Sequence, residues 1–83
     1  MQVTVRVNGI LAQKIGINRF PMALPDQATA RALQQALQGQ YPNLSVEIER
    51  AVIVIGGAHR PGDTVLQDGQ EVALLMPVAG GCA

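Results

Sequence analysis

Few residues in this chain could do chemistry, and the most specific of them have no side chains. Gly80 and Gly81 stand together near the C-terminal end of the sequence. Two adjacent glycines can thread a narrow channel and let another protein's backbone approach closely. From Ala79 to Ala83 the extended reach is at most ~17 Å, taking ~3.4 Å per residue. That is long enough to deliver a carbonyl into a partner's active site while a globular body docks outside. The chemistry suited to such a tail is carboxylate activation. A carboxylate is a poor electrophile, but an acyl-adenylate carries a good leaving group. Sulfur or nitrogen can then attack the glycyl carbonyl, the least hindered acyl group available. A frayed terminus without function is the other reading that composition leaves open.

The remaining candidates point to structure. Asp63, Asp68 and Glu71 are spread through turns and a strand. They are expected to shape a turn (Asp68) or face water (Glu71) instead of forming an acid–base pair. His59 lies beside Arg60 in a predicted loop with no second metal-ligating side chain at a useful spacing. Gly56-Gly57 lacks the Lys-Ser/Thr of a phosphate-binding loop and reads as a strand-ending turn. Lys14, the single lysine, reads as a solubilising surface charge.

Composition narrows the function further. The 83 residues fit one small domain, which buries about 60% of its unfolded surface and has little capacity for a deep catalytic cavity. Lys plus Arg and Asp plus Glu each total 6, and aromatics are 2%. Neither the cationic footprint nor the stacking platforms of a nucleic-acid binder are present. With one cysteine, Cys82, there is no intrachain disulfide. One Cys and one His cannot build a zinc cage alone. No apolar run approaches the ~20 residues of a membrane helix. The opening residues alternate like a strand, unlike a signal peptide, so a reducing, cytoplasmic setting is the default expectation.

The elements that must position the tail follow from periodicity. Val3, Val5 and Val7 alternate with Thr4 and Arg6, which predicts a first strand. Asn8-Gly9 offers a tight turn, and residues 10–15 a short helical or irregular bridge before Gly16. Phe20, Met22 and Leu24 alternate in a second strand, placed at an edge because Pro21 cannot donate to a ladder. Thr29, with Asp26 as alternative, caps a helix whose inner face is Ala30, Leu33 and Leu37 and which stops at Gly39. Gln34, Gln35, Gln38 and Gln40 read as its solvated face. Tyr41-Pro42-Asn43-Leu44 reads as a loop, with Tyr41 and Leu44 sealing the helix end. Residues 51–55 read as a central strand covered on both faces, with 46–50 extending or leading into it. Residues 70–76 read as the last strand. This order predicts an α+β β-grasp (ubiquitin-like) domain over residues 1–77, a mixed four- to five-stranded sheet packed on one main helix. The first and last strands would lie parallel, and residues 78–83 would form a flexible tail.

The run Asp68-Gly69-Gln70-Glu71-Val72-Ala73-Leu74-Leu75-Met76-Pro77-Val78-Ala79-Gly80-Gly81 resembles the C-terminal signature of the MoaD/ThiS sulfur-carrier family. There an Asp-Gly-Asp-Glu-Val turn and strand lead through prolines to Gly-Gly. The resemblance implies a carrier of sulfur as a C-terminal thiocarboxylate, acted on by other enzymes and not itself an enzyme. An E1-like enzyme would use ATP to adenylate Gly81; the domain itself would bind no cofactor and no metal. A sulfur donor would then replace AMP, and a sulfur-accepting biosynthetic enzyme would receive the sulfide. Gly81 would be the acyl carrier and Gly80 its unhindered neighbour. Val78 and Ala79 would line the partner's channel, and the exposed sheet face would meet the partner.

The chain departs from the pattern at three places. Gln70 replaces an acidic residue. Met76 replaces the first of two prolines, which is expected to loosen the tail slightly. Cys82-Ala83 follow the glycines, so the Gly81 carbonyl is held in an amide. The resemblance then implies a proprotein, similar to carriers with a removable Gly-Gly-Cys-Xaa tail, from which a JAMM-type zinc metalloprotease would cut Cys82 and Ala83. Alternatively, Cys82 is an exposed thiol titrating near ~8.5 that captures persulfide or attacks the preceding carbonyl. Other functions compatible with the same tail are a ubiquitin-like protein modifier and the small subunit of molybdopterin synthase.

Overall fold

The computed structural model describes residues 1–77. Strand β1 (Gln2–Val7) is followed by α1 (Gly9–Ile15), β2 (Arg19–Ala23) and α2 (Ala30–Gln40). A 3₁₀ turn (Pro42–Leu44), α3 (Ser45–Arg50), β3 (Val52–Ile55), β4 (Ala58–His59) and β5 (Glu71–Leu75) complete it. The strands form one mixed sheet in the order β2-β1-β5-β3-β4.

The period-two pattern of β1 decides which face is buried. Val3, Val5 and Val7 are at most 2% exposed, while Thr4 and Arg6 occupy the other face. β2 lies antiparallel to β1 at the sheet edge, with Pro21 opposite Thr4. A proline is tolerated there because an edge strand has one side free of ladder bonds. β1 and β5 run parallel with Val5 opposite Val72. Parallel neighbours need a long crossover, and everything from α1 to β4 supplies it.

Helix α2 is the main cover of the sheet. Thr29 Oγ1 accepts from the Ala32 N–H at 3.1 Å, satisfying one of the helix's otherwise unpaired amides. Ala30, Leu33 and Leu37 are wholly buried. They join Val3, Val5, Val72 and Leu74 in one core. The helix passes Gly39 and ends at Gln40, where the Tyr41 N–H closes on the Leu37 carbonyl at 2.9 Å. Tyr41 packs on the core and Leu44 is buried, as expected of a seal, but Pro42–Leu44 is a 3₁₀ turn and not an irregular loop.

Three further expectations are narrowed or corrected. Residues 46–50 do not extend β3; of the two expected alternatives they lead into it, and they do so as helix α3. Val46 and Ile48 alternate with Glu47 and Glu49, which mimics a strand, yet only Ile48 is buried and Val46 is 62% exposed. Strand β3 is not covered on both faces, since Ile53 and Ile55 are buried while Val52 and Val54 are half-exposed. The strand with consecutive buried residues is β5, at Val72, Ala73 and Leu74. Finally, the glutamines of α2 are not all solvated. Gln34 is 4% exposed and donates to the Ile48 carbonyl at 3.0 Å, tying α2 to α3. Gln38 donates to the Ser45 carbonyl and to Glu49, while Gln35 and Gln40 face solvent.

Gly56 and Gly57, with φ of +62° and +79°, form the two-residue hairpin between β3 and β4. Two positive dihedrals in succession suit the right-handed twist of the flanking strands.

Candidate functional site

The strand that leads toward the glycines is the middle one of the sheet, with β1 on one side and β3 on the other. β5 ends at Leu75, and Met76 and Pro77 lead on. Val78, Ala79, Gly80, Gly81, Cys82 and Ala83, on which the carrier role and the removable extension were placed, lie outside the described residues. The structure therefore describes the chain up to Met76 and Pro77, the root from which those residues continue.

That root is built from both ends of the chain. The Met76 N–H donates to Asn8 Oδ1 at 2.7 Å, across 68 sequence positions. The Met76 side chain packs against the core. Gly9 opens α1 at φ +56°, and a side chain there would meet Met76 Cβ at 3.7 Å. Asn8 itself is extended, at φ −138°, so Asn8-Gly9 is not a two-residue turn but the entry to a helix. The Met76 amide, which a proline would lack, is a hydrogen-bond donor here; the loosening expected of the tail itself falls outside the described residues.

Other previously named residues are scattered. Asp68 Oδ1 accepts from the Gln2 N–H at 2.8 Å, and the Gly69 N–H donates to the Gln2 carbonyl at 2.7 Å. The Asp68-Gly69 turn is thereby pinned to the start of β1. Glu71 does not simply face water, but lies 3.7 Å from Arg6 and 3.5 Å from Arg19 on the open face of the sheet. His59 is exposed on β4 opposite Val54, and so lies on an edge strand, not in a loop. Lys14 is exposed in the last turn of α1, where a cation suits the negative helix end. Asp63 is exposed. Among the described residues, no three His, Cys, Asp or Glu side chains gather where they could hold a metal. No described helix is long and apolar enough to cross a membrane.

The open sheet face carries a shallow cleft of about 350 Å³ lined by Arg6, Val54, Gly56, Gly57, Glu71 and Ala73. Its apolar floor (Val54, Ala73) is bordered by the Arg6–Glu71–Arg19 group, which has two cations to one anion. Exposed pairs of this kind add only ~0–1 kcal/mol each to stability; they leave a polar, net positive border beside the apolar floor of the cleft. Sequence reasoning singled out neither Asn8 nor this arginine pair. The visible signal was Arg6 and Arg19 at matching ends of two predicted adjacent strands.

The ThiS family model matches residues 5–81, from the middle of β1 through the second tail glycine. SAMP1 from Haloferax volcanii is similar in structure at 21% identity, with 98% of this chain and 100% of that one covered and a TM-score of 0.84. A chain in the complex of subunits 1 and 2 of molybdopterin-converting factor from Helicobacter pylori is 27% identical, covers 98% and 100%, and gives a TM-score of 0.67. Caldiarchaeum subterraneum ubiquitin is 14% identical, covers 98% of both chains, and gives 0.66. At such identities the archaeal structures speak to the fold alone, which is the ubiquitin-like β-grasp, here with three helices. With the family model matched over nearly the whole chain, this protein belongs to the ThiS family, among the MoaD/ThiS-like β-grasp proteins.

Proposed function

We propose that this chain is the precursor of a sulfur carrier whose working group is the Gly81 carboxylate. The observation that carries the reading is the ThiS match itself, which runs to Gly81 and leaves Cys82 outside. In the first step a JAMM-type protease uses zinc-bound water to hydrolyse the Gly81–Cys82 amide. Water's oxygen joins the glycyl carbon, and the amine leaves on Cys82. The new carboxylate attacks the α-phosphorus of ATP on an E1-like enzyme, expelling pyrophosphate. A hydrosulfide equivalent then displaces AMP, leaving the thiocarboxylate. The thiocarboxylate sulfur then bonds to the biosynthetic acceptor, and water hydrolyses the resulting acyl–sulfur bond; its oxygen restores the Gly81 carboxylate while the sulfur stays on the acceptor.

In this scheme the domain is a co-substrate, not an enzyme. Residues 1–77 are a docking body, and 78–83 a tail whose glycines enter a narrow cleft. Val78 and Ala79 line that cleft, the partner consumes the ATP, and the setting is cytoplasmic. The open sheet face is the docking surface, with the apolar floor at Val54 and Ala73 and the arginine border favouring a partner patch with acidic margins.

Intact-mass spectrometry of the full chain recovered from cells making the sulfur-containing product tests this reading. The expected spectrum shows loss of Cys82 and Ala83, then the mass gain of one oxygen-to-sulfur exchange. A tail that stays uncut in such cells would overturn it. The Helicobacter pylori neighbour's subunit complex favours a second reading, a small subunit held in a stable synthase. That reading expects co-purification with a larger subunit. An isopeptide between Gly81 and a target lysine would instead mark a protein modifier.

A further inference from the structure

A helix-capping asparagine that does not cap its helix is the starting observation. Asn8 occupies the N-cap of α1, yet its side chain makes no capping hydrogen bond. Its Oδ1 accepts instead from the Met76 N–H at 2.7 Å. Sheet geometry explains why a side chain is needed there.

Along a strand, successive backbone polar groups point to opposite neighbours. The Gln70 carbonyl accepts from the Thr4 N–H of β1, so the even-numbered residues of β5 face β1. Val72, Leu74 and then Met76 are the successive donors on that side. In a continued parallel ladder the Met76 N–H would meet the backbone carbonyl of Asn8. But β1 has ended at Val7, and the Asn8 carbonyl accepts from the Ala12 N–H of α1 at 3.3 Å. The side-chain oxygen supplies the missing acceptor and extends the β1–β5 ladder by one rung. Pro77, with no N–H, follows at once and disfavours a helical conformation at Met76.

We infer that Asn8 is a positioning residue that sets the direction in which the tail leaves the body. The inference rests on the carrier reading above for its functional consequence and on geometry alone for the clamp. From Met76 to Gly81 the extended reach is at most ~20 Å, taking ~3.4 Å per residue. Any swivel at the root is multiplied over that length, and delivery of the glycyl carbon into a narrow cleft tolerates little of it. Fixing the root lowers the ordering cost of each docking event.

The test compares wild type, Asn8→Ala, Asn8→Asp and Met76→Pro in the full chain. Amide hydrogen exchange and ¹⁵N relaxation by NMR read the clamp. In Asn8→Ala, Met76 is expected to exchange about tenfold faster and to lose order, while Val72 and Leu74 change less than about twofold, since only one hydrogen bond is removed. Asn8→Asp, which keeps an acceptor oxygen, is expected to restore wild-type protection. Met76→Pro deletes the donor, so adding Asn8→Ala to it should have no further effect on activation. With the same proteins processed to Gly81, Asn8→Ala is expected to raise KM for the carrier in adenylation about three- to tenfold with kcat little changed, and Asn8→Asp to recover it. Unchanged Met76 exchange in Asn8→Ala overturns the clamp. Faster exchange with an unchanged KM overturns the positioning role. If no version is adenylated, the carrier reading falls, while Met76 exchange and order still decide the clamp.

Discussion

Glu49 shows how a single exposed carboxylate acquires a preferred state. The Arg31 guanidinium donates to it at 2.7 Å and the Gln38 amide at 3.1 Å. These hydrogen bonds, Arg31's foremost, hold its carboxyl below the ordinary value of 4.5. A group lowered on folding stabilises the protein above its unfolded value and loses that contribution as pH falls through the folded one. Thermal melts should therefore place Glu49→Gln slightly below wild type at neutral pH. The gap should close as pH drops below 4.5; a gap that widens on acidification would contradict the assignment. Local rules made some residues readable in advance. Thr29 as a cap depends only on its immediate neighbours. Asn8 does not, because its partner is 68 positions away and no local pattern specifies it. The same holds for Gln34, whose burial exists only because α3 folds over it.

Among the elements, legibility followed length and periodicity. β1 alternates over six residues and α2 repeats its apolar face over eleven, so each declared itself. α3 has six residues, too few for a 3.6-residue period to separate from a two-residue one, and its alternation pointed the wrong way. Its hold on the fold comes from Ile48 in the core and from Gln34, which donates to the Ile48 carbonyl. Gln34→Ala removes a buried hydrogen bond and leaves space beneath α3. The expected loss is about 1–3 kcal/mol, or roughly 4–8 °C in Tm per kcal/mol for a domain of this size. A calorimetric scan would check it, and an unchanged Tm would mean that α3 docks without the glutamine.

On the scale of the whole molecule, one core joins both termini of the described chain to the helix between them. Leu37, wholly buried, sits in that core, and Leu37→Ala is expected to cost about 2–5 kcal/mol. Against the ~5–15 kcal/mol total of typical domains, that is a large fraction. Urea titration should show the midpoint falling with an unchanged slope, the sign of a two-state fold losing stability without changing the surface it exposes. The parallel pairing of the first and last strands was legible because both are apolar and a long crossover lies between them, while the rest of the strand order was not. The charge arrangement on the open face was not, because Arg6, Arg19 and Glu71 meet only once β2, β1 and β5 are laid side by side.

The central place of β5 also has a mechanical meaning. A tension applied beyond Pro77 runs straight into a strand laced to β1 on one edge and β3 on the other. Those rungs lie across the line of force and must shear together, unlike an outer strand that peels off one bond at a time. A pull on the chain beyond Pro77 therefore loads both ladders of β5 at once, and the body resists it with all of those rungs together.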